Sequence, residues 1–537
     1  MDRIDAEEKM EVSLEQDTPL SSRPKGGLLT MPFIIANESF EKVASYGLMP
    51  NMIFYLMKGY RMSSANGTSV LQLWSALTNF TPILGAFLSD SYVGRFQVIA
   101  MGSLSSLLGV ILLWLTAMIP RAKPPMGESP NSGQLALLFS SFVLMSIGAG
   151  GIRPFIVYIQ DHLGWKLGFG IPVILMLLSA LTFFFGYPLY VQVNANKSLF
   201  TGLAQVVAVT FKNRSLAYPV DGKYHYSKES NLVTPSKKLR FLNKACIIRD
   251  PENDITPDGS TSKPWNVCTV DQVEALKSLI RLLPIWSTGI IIYMTLTQSS
   301  LTVLQAYSMD RHLTSNFKIP AGSFSVFTVV TLTIWVAVYD RAIVPLLARF
   351  TGQPRGFSNL VRMGIGLVLS ILAMVVAAVV EIIRRRTAIN EGLDTKRGIV
   401  GMSAFWLVPQ FCVGGLAEGL NAVGQVEFYY SQLPKNMSSV AMALFSLTNG
   451  FAGLLGSFLV KTVDRITKDG EKQSWVASNP NRGHYDYYYW FLAILSTANF
   501  IYFLLCCWVY GPSSEEVKPR VSDDQEHVKA EESYVYK

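Results

Sequence analysis

Charge is what this sequence is shortest of. Only 16% of its 537 residues are Asp, Glu, Lys or Arg, while half are hydrophobic; a soluble chain carries about 25% charged residues. With a mean hydropathy of +0.29, that shortage excludes an ordinary soluble domain and indicates a chain that crosses a bilayer many times. Cysteine is scarce too. Cys246, Cys268, Cys412, Cys506 and Cys507 show no CxxC spacing and the five histidines form no ligand pattern, so no disulfide framework or metal site is indicated. No nucleophile–base pattern and no phosphate-cradling glycine loop is present, which argues against an enzyme. The first 27 residues lack the apolar core of a cleavable signal, so the first span is expected to act as its own insertion signal behind a disordered tail. The net charge of +8 does not call for nucleic acid, because the basic residues fall mostly in loops between apolar spans, where positive-inside bias accounts for them.

What is abundant is apolar sequence in runs of spanning length, roughly 20 residues. Such runs lie near 29–57, 68–90, 96–119, 167–191, 278–300, 322–348, 359–383, 401–427, 437–462 and 488–511, with an eleventh apolar segment at 134–165. A long polar connection, with eleven Lys/Arg against eight Asp/Glu from Gln192 to Ala275, divides them into two halves. Its opening, SLFTGLAQVVAVTFKNRS, has amphipathic helical spacing suited to a membrane surface. The expected organisation is a disordered tail (1–27), an incomplete N-terminal bundle (28–191), a central cytoplasmic loop (192–277), a six-helix C-terminal bundle (278–511) and a second disordered tail (512–537).

Charges inside the apolar runs stand out for their cost. In NESFEKVASYG, inside the first run, Glu38, Glu41 and Lys42 project from one helix face, with Glu38 to Lys42 in the favourable i,i+4 order. Charges at membrane depth cost a few kcal/mol each unless they face a polar cavity or one another, so they mark a transport path by default; a buried pair that only joins two helices is the plainer alternative. Two short connectors, GAFLSDSYVGRF (85–96) and YDRAIVPLLARFTGQPRGFSNLVRMGIG (339–366), each mix Asp and Arg with glycines at a helix end, as a weak internal repeat of a two-bundle transporter would. Asp90, Arg95, Asp340 and Arg341 are therefore candidates for a gating contact, or ordinary helix caps.

At these residues the chain resembles the plant nitrate and peptide transporter family, part of the proton-dependent oligopeptide transporters of the major facilitator superfamily. The matching stretches are ESFEK (38–42), GAFLSDSYVGRF, GAGGIRP (148–154), YDRAIVP with TGQPRG, and LAEGLNAVGQVEFYYSQLPKNMSS (416–439). They cover nearly the whole chain in order. MPFIIANESFEKVASYG is most similar to a subfamily described mostly as low-affinity nitrate transporters. The resemblance implies an all-α, multi-pass, two-bundle fold in the plasma membrane, protons as the coupling ion with no other cofactor, and nitrate or a peptide as substrate; organic anions would suit the same residues. It assigns proton coupling to Glu38, Glu41 and Lys42, a second-bundle site to Glu418 and a cationic position to Arg153. Tyr46, Asn51, Tyr55, Tyr293, Gln298 and Gln425 are candidates for the cavity wall, or for helix–helix hydrogen bonds. Leu296 stands where one nitrate-binding member has histidine, so nitrate recognition cannot rest on that position.

The pattern breaks between Gln134 and Trp165. In the family, GGI[KR]P leads into a polar connection and a fifth helix whose end resembles FIVYIQDHLGW; here the end of the fourth helix joins the end of the fifth directly near Pro154 and Phe155, omitting on the order of 50 residues. About eleven spans instead of twelve are expected. The omission is expected to reverse the direction of the later helices, unless 134–165 is kinked or re-entrant at its glycines and Pro154. A truncated isoform that does not transport is the competing functional reading.

Overall fold

The computed structural model describes residues 30–88, 95–125, 128–146, 165–190, 199–218, 224–226, 235–248, 255–256, 261, 265–315, 317–351, 356–394, 398–434, 437–468 and 473–510. The expectations for both tails, and for Asp90 and Arg153, lie outside these residues. Helix α1 (Met31–Phe54) runs into a π-helical turn (Tyr55–Gly59), and Arg61, at a left-handed φ of +53°, turns the chain into α2 (Ser64–Leu88). Helices α3 (Arg95–Met118), α4 (Ser132–Ser146) and α5 (Trp165–Phe185) complete the first half, and α6 (Leu199–Lys212) lies in the central connection. The second half holds α7 (Val270–Leu296) with its short continuation α8 (Ser299–Tyr307), α9 (Val326–Val338), α10 (Val344–Thr351), α11 (Asn359–Asn390), α12 (Val408–Gln432), α13 (Ser438–Thr467) and α14 (Tyr485–Tyr510). Seven segments among the described residues are long and apolar enough to cross a bilayer. Helices α1, α2 and α12 are not among them, and each has a reason: α1 carries three charged residues, while α2 and α12 turn polar side chains toward a central cavity.

The central connection defines one side of the molecule, here the near side. Val206 and Val209 of α6 share a small core with Leu242, Ala245, Cys246 and Cys268 and with Val270, Val273 and Leu276 in the first turns of α7. A capping box fixes this end of α7: Thr269 Oγ1 accepts from the Gln272 amide, and Gln272 Oε1 accepts from the Thr269 amide. From there α7 runs to the far side, where Met309–Asp310 pairs with Val400–Ser403.

The first half keeps the direction that the sequence put in doubt. Trp165 and Phe169 pack on Tyr55, at the far end of α1, each with ring centroids 4.9 Å from it. Ser179 Oγ then donates to Asn37 O at 2.8 Å, and Gly186 closes on Phe33 near the start of α1. Helix α5 thus runs from far to near, antiparallel to α1, and delivers the chain to the central connection on the near side. Eighteen positions, 147–164, separate it from α4 and lie outside the described residues. The last described turn of α4 sits at the level of Ser105 and Ser106, whose hydroxyls donate to the Leu144 and Met145 carbonyls. Trp114 Nε1 donates to Lys166 O, so on α3 the two levels are eight residues, or about 12 Å, apart. The expected reversal is therefore corrected: α4 has gone only part of the way when its described turns end, and the chain has a short distance to recover before α5 begins.

The basic run RRRTAINEGLDTKRG (384–398) is in part a structural anchor. Helix α11 continues to Asn390, and Arg384, like Glu381 one turn before it, is fully buried. Its guanidinium forks onto the Glu381 carboxylate at 2.7 and 2.6 Å and also donates to Asn481 Oδ1, Ser308 Oγ and Pro480 O. Gln305 Nε2 donates to the same carboxylate at 2.7 Å. Breaking a buried pair strands the other charge, at about 3–5 kcal/mol. Arg384→Leu should therefore lower the thermal midpoint of the purified protein sharply, whereas Arg386→Leu, outside the network, should not; equal midpoints would show the network to be dispensable.

Candidate functional site

A cavity of about 400 Å³ lies between the two halves. From the first half it is lined by Met49 and Pro50 of α1 and by Leu71, Gln72, Ser75 and Asn79 of α2. From the second it is lined by Tyr293 and Leu296 of α7, Gln298, Gln410 and Glu418 of α12, Asn449 and Tyr489. The polar residues on α2 recur at i, i+3 and i+7, one face of a helix, and that spacing was legible in the sequence although only the tertiary structure shows what the face meets.

Three of these residues bury an oxygen with no hydrogen-bond partner among the described residues: Tyr293 Oη, Gln72 Oε1 and Gln410 Oε1. The residues are 3%, 5% and 8% exposed, and a buried polar atom left unpaired costs about 1–3 kcal/mol. Such atoms, gathered around one cavity, are what a polar solute would satisfy. Glu418 is only partly buried, and its carboxylate lies close enough to act electrostatically on the Tyr293 hydroxyl. Gln298 is held rigidly: its Nε2 donates to Met294 O, and its Oε1 accepts from Gln72 Nε2 at 3.1 Å and from the Tyr488 hydroxyl at 3.2 Å. Leu296 presents an apolar surface beside Gly414, in keeping with the missing histidine.

The remaining candidates divide. Glu38, Glu41, Lys42 and Tyr46 stand on α1, but their side chains are outside the described residues. By helix register Lys42 is seven and Glu38 eleven residues before Met49, so both positions fall within about 20° of it around the axis of α1. Tyr55 belongs to the packing instead, with its hydroxyl 2.7 Å from Thr116 Oγ1. Gln425 bonds to Asn421 and Tyr429 within α12, and Asn51 abuts Gly322. Arg95 opens α3, its side chain outside the described residues, and Asp340 and Arg341 are exposed in a π-helical turn. The ion pair described on that side of the second half is Arg362 with Glu427, 2.6 Å apart, with Arg362 over the Tyr339 ring.

The cavity is closed on the far side. Ser69 Oγ lies 2.6 Å from Ser457 Oγ, Ser64 bonds to Val476 and Ser478, and Lys58 Nζ donates to the Tyr307 hydroxyl. Helix α13 approaches α2 this closely because Gly450, Gly453 and Gly456 face it; a Cβ on Gly453 would sit 2.7 Å from Gln72 O and 3.1 Å from Ala76 N. Gly453→Leu must push the helices apart. Overpacking of about 1–3 kcal/mol shifts a two-state equilibrium about five- to 150-fold. The expected result is a protein held open on the far side, in which a cysteine placed at Ser69 reacts with a membrane-impermeant thiol reagent; an unreactive cysteine would mean that the closure survives.

The geometry has parallels among known proteins. The family model described as the POT family (PTR2) matches residues 153–476, beginning where the sequence pattern breaks. Among curated proteins of Arabidopsis thaliana, the chain is 49% identical to Protein NRT1/PTR FAMILY 1.2, over 92% of this chain and 91% of that one, and 49% identical to Protein NRT1/PTR FAMILY 1.1, over 96% of each. The first alignment runs over 555 positions but uses 92% of 537 residues, about 494, which leaves about sixty positions of the relative opposite gaps. The second, 572 positions using 96%, or about 516 residues, leaves nearly as many. Among solved structures, an auto-inhibited POT family peptide transporter superposes with a TM-score of 0.65 at 18% identity, over 90% of this chain and 98% of that one. The POT family transporter PepTSo gives 0.63 at 16% identity, over 91% and 99%.

Proposed function

Because the chain belongs to the POT family of transporters, we propose that it is a proton-coupled symporter of the plasma membrane that moves a small solute through the cavity between its halves by alternating access. The observation that carries this reading is the cavity itself: polar, shared by both halves, closed on one side, and ringed by buried oxygens that lack partners among the described residues. Glu38, Glu41 and Lys42 on α1 and Glu418 on α12 supply the groups that take up a proton and respond to the charge of the solute. A carboxylate in a low-dielectric cavity is pushed toward its neutral form by desolvation and back toward its charged form by an adjacent cation. Protonation and solute binding are coupled through that balance.

Low-affinity nitrate uptake is the leading assignment, supported by a cation, Lys42, at the helix register of the cavity-lining Met49 and by the Tyr293 hydroxyl, which can donate to an anion. A second reading has its own support. The unpaired Gln72 and Gln410 oxygens and the Glu418 carboxylate are acceptors; nitrate has no donor to offer them, whereas the ammonium and amide groups of a di- or tripeptide do. Uptake of labelled nitrate and of a labelled dipeptide at acidic external pH separates the two. Nitrate uptake with half-saturation nearer mM than μM is expected; peptide uptake without nitrate uptake would replace the first assignment by the second.

A further inference from the structure

Helix α6 is apolar on two faces, and the small near-side core uses only one of them. Val206 and Val209 are fully buried in that core, while on the other face Ala204, Val207, Ala208 and Phe211 recur at i, i+3, i+4 and i+7 and are exposed, Val207 to 56% and Phe211 to 69%. Exposed Trp265 adjoins Asn266, which accepts from Lys212 Nζ, and exposed Phe241 follows Arg240. Cations gather at the end of this stripe. Arg214 lies over the Phe211 ring, Arg240 and Lys244 share the Tyr218 ring, and Lys244 donates to Arg214 O. None of Lys212, Arg214, Arg240 and Lys244 is within ion-pair distance of a carboxylate among the described residues.

We propose that this face of α6 is a docking surface for anionic phospholipid: the apolar stripe enters the boundary between headgroups and acyl chains, and the four cations take the phosphate headgroups. The position favours a bilayer over a soluble partner, because the opposite face of α6 is pinned to the first turns of α7, a helix that crosses the membrane. An apolar helix face with cations at its edge is the physical signature of interfacial binding, and each cation near an anionic surface strengthens attachment about fivefold.

The test uses the full chain and needs no substrate, so it fails or succeeds independently of the transport reading. In a Cys412→Ser, Cys507→Ser background, Val207→Cys carries an environment-sensitive fluorophore in nanodiscs of phosphatidylcholine alone or mixed with phosphatidylinositol. Spin-labelled lipid should quench it and aqueous iodide should not. Native mass spectrometry should show phosphatidylinositol retained over phosphatidylcholine, with the preference falling at least about tenfold in K212E/R214E/R240E/K244E. Unchanged proteolysis of residues 192–277 in that variant shows that the loop still folds, and Arg386→Glu, exposed at the far-side end of α11, should leave the preference intact. Iodide access in every lipid mixture, equal retention of both lipids, equal protection by inorganic phosphate, or a soluble protein recovered on the face in place of lipid would each overturn the proposal.

Discussion

Expressed as written, the chain is expected to transport at least about tenfold less than a version in which the omitted segment is restored between Pro154 and Phe155, compared at equal surface abundance. Among the described residues five helices build the first half, whereas the second half has six continuous helical segments, α7–α8, α9–α10, α11, α12, α13 and α14, and the alignments leave about sixty positions of each relative without a counterpart. The direction of α5 survives the omission, so a tag in the central connection should report the same side for both versions. What the omission would take away is a wall. Lipid cannot satisfy the backbone and polar groups that a fifth helix would cover, nor replace the close packing by which membrane helices hold one another in register. A half-bundle short of one helix is a poor rigid body, and alternating access requires two rigid bodies to rock against each other. Equal uptake by the two versions would mean that residues 147–164 do the work of a loop and a span together.

In the restored version, Glu41→Gln is expected to abolish uphill, acid-stimulated uptake while leaving surface expression intact. The substitution keeps the size and most of the hydrogen bonding of the side chain and removes only its ability to carry a proton. A charge at membrane depth is retained at a cost of a few kcal/mol, which argues for a functional return. Facilitated, downhill exchange should persist, because the solute still meets the same cavity. Unchanged acid-stimulated uptake in oocytes would remove Glu41 from the mechanism and shift attention to Glu418.

Much of this site is legible without coordinates, and the part that is not is instructive. Glu418 announces itself as a carboxylate in the middle of an apolar run, and Tyr293 and Gln298 as polar residues on a spanning helix. Gln72, Ser75 and Asn79 have the right spacing but no charge to draw notice. Tyr55 and Gln425 look equally suited to a cavity wall, yet the structure commits them to Thr116 and to Asn421 and Tyr429. Composition distinguishes polar residues from apolar ones; it does not say whether a polar group facing another helix meets a partner or a void.

The order of residues suffices to specify a polytopic helical membrane protein in two halves, because apolar runs of spanning length answer to the thickness of a bilayer and need no tertiary information. It also marks the first-span charges, since a charge in lipid violates a rule that is local in the chain, whereas the break near Pro154 shows only against the pattern of the family that the chain resembles. Folding is needed to fix the direction of α5, which depends on where α4 stops along α3, and the burial of Arg384, which depends on Glu381, Ser308 and Asn481 converging from separate segments. The far-side closure is of the same kind, for the glycines of α13 matter only because α2 lies against them. These are contacts between residues distant in the chain, and no periodicity or propensity encodes which of two apolar surfaces will meet.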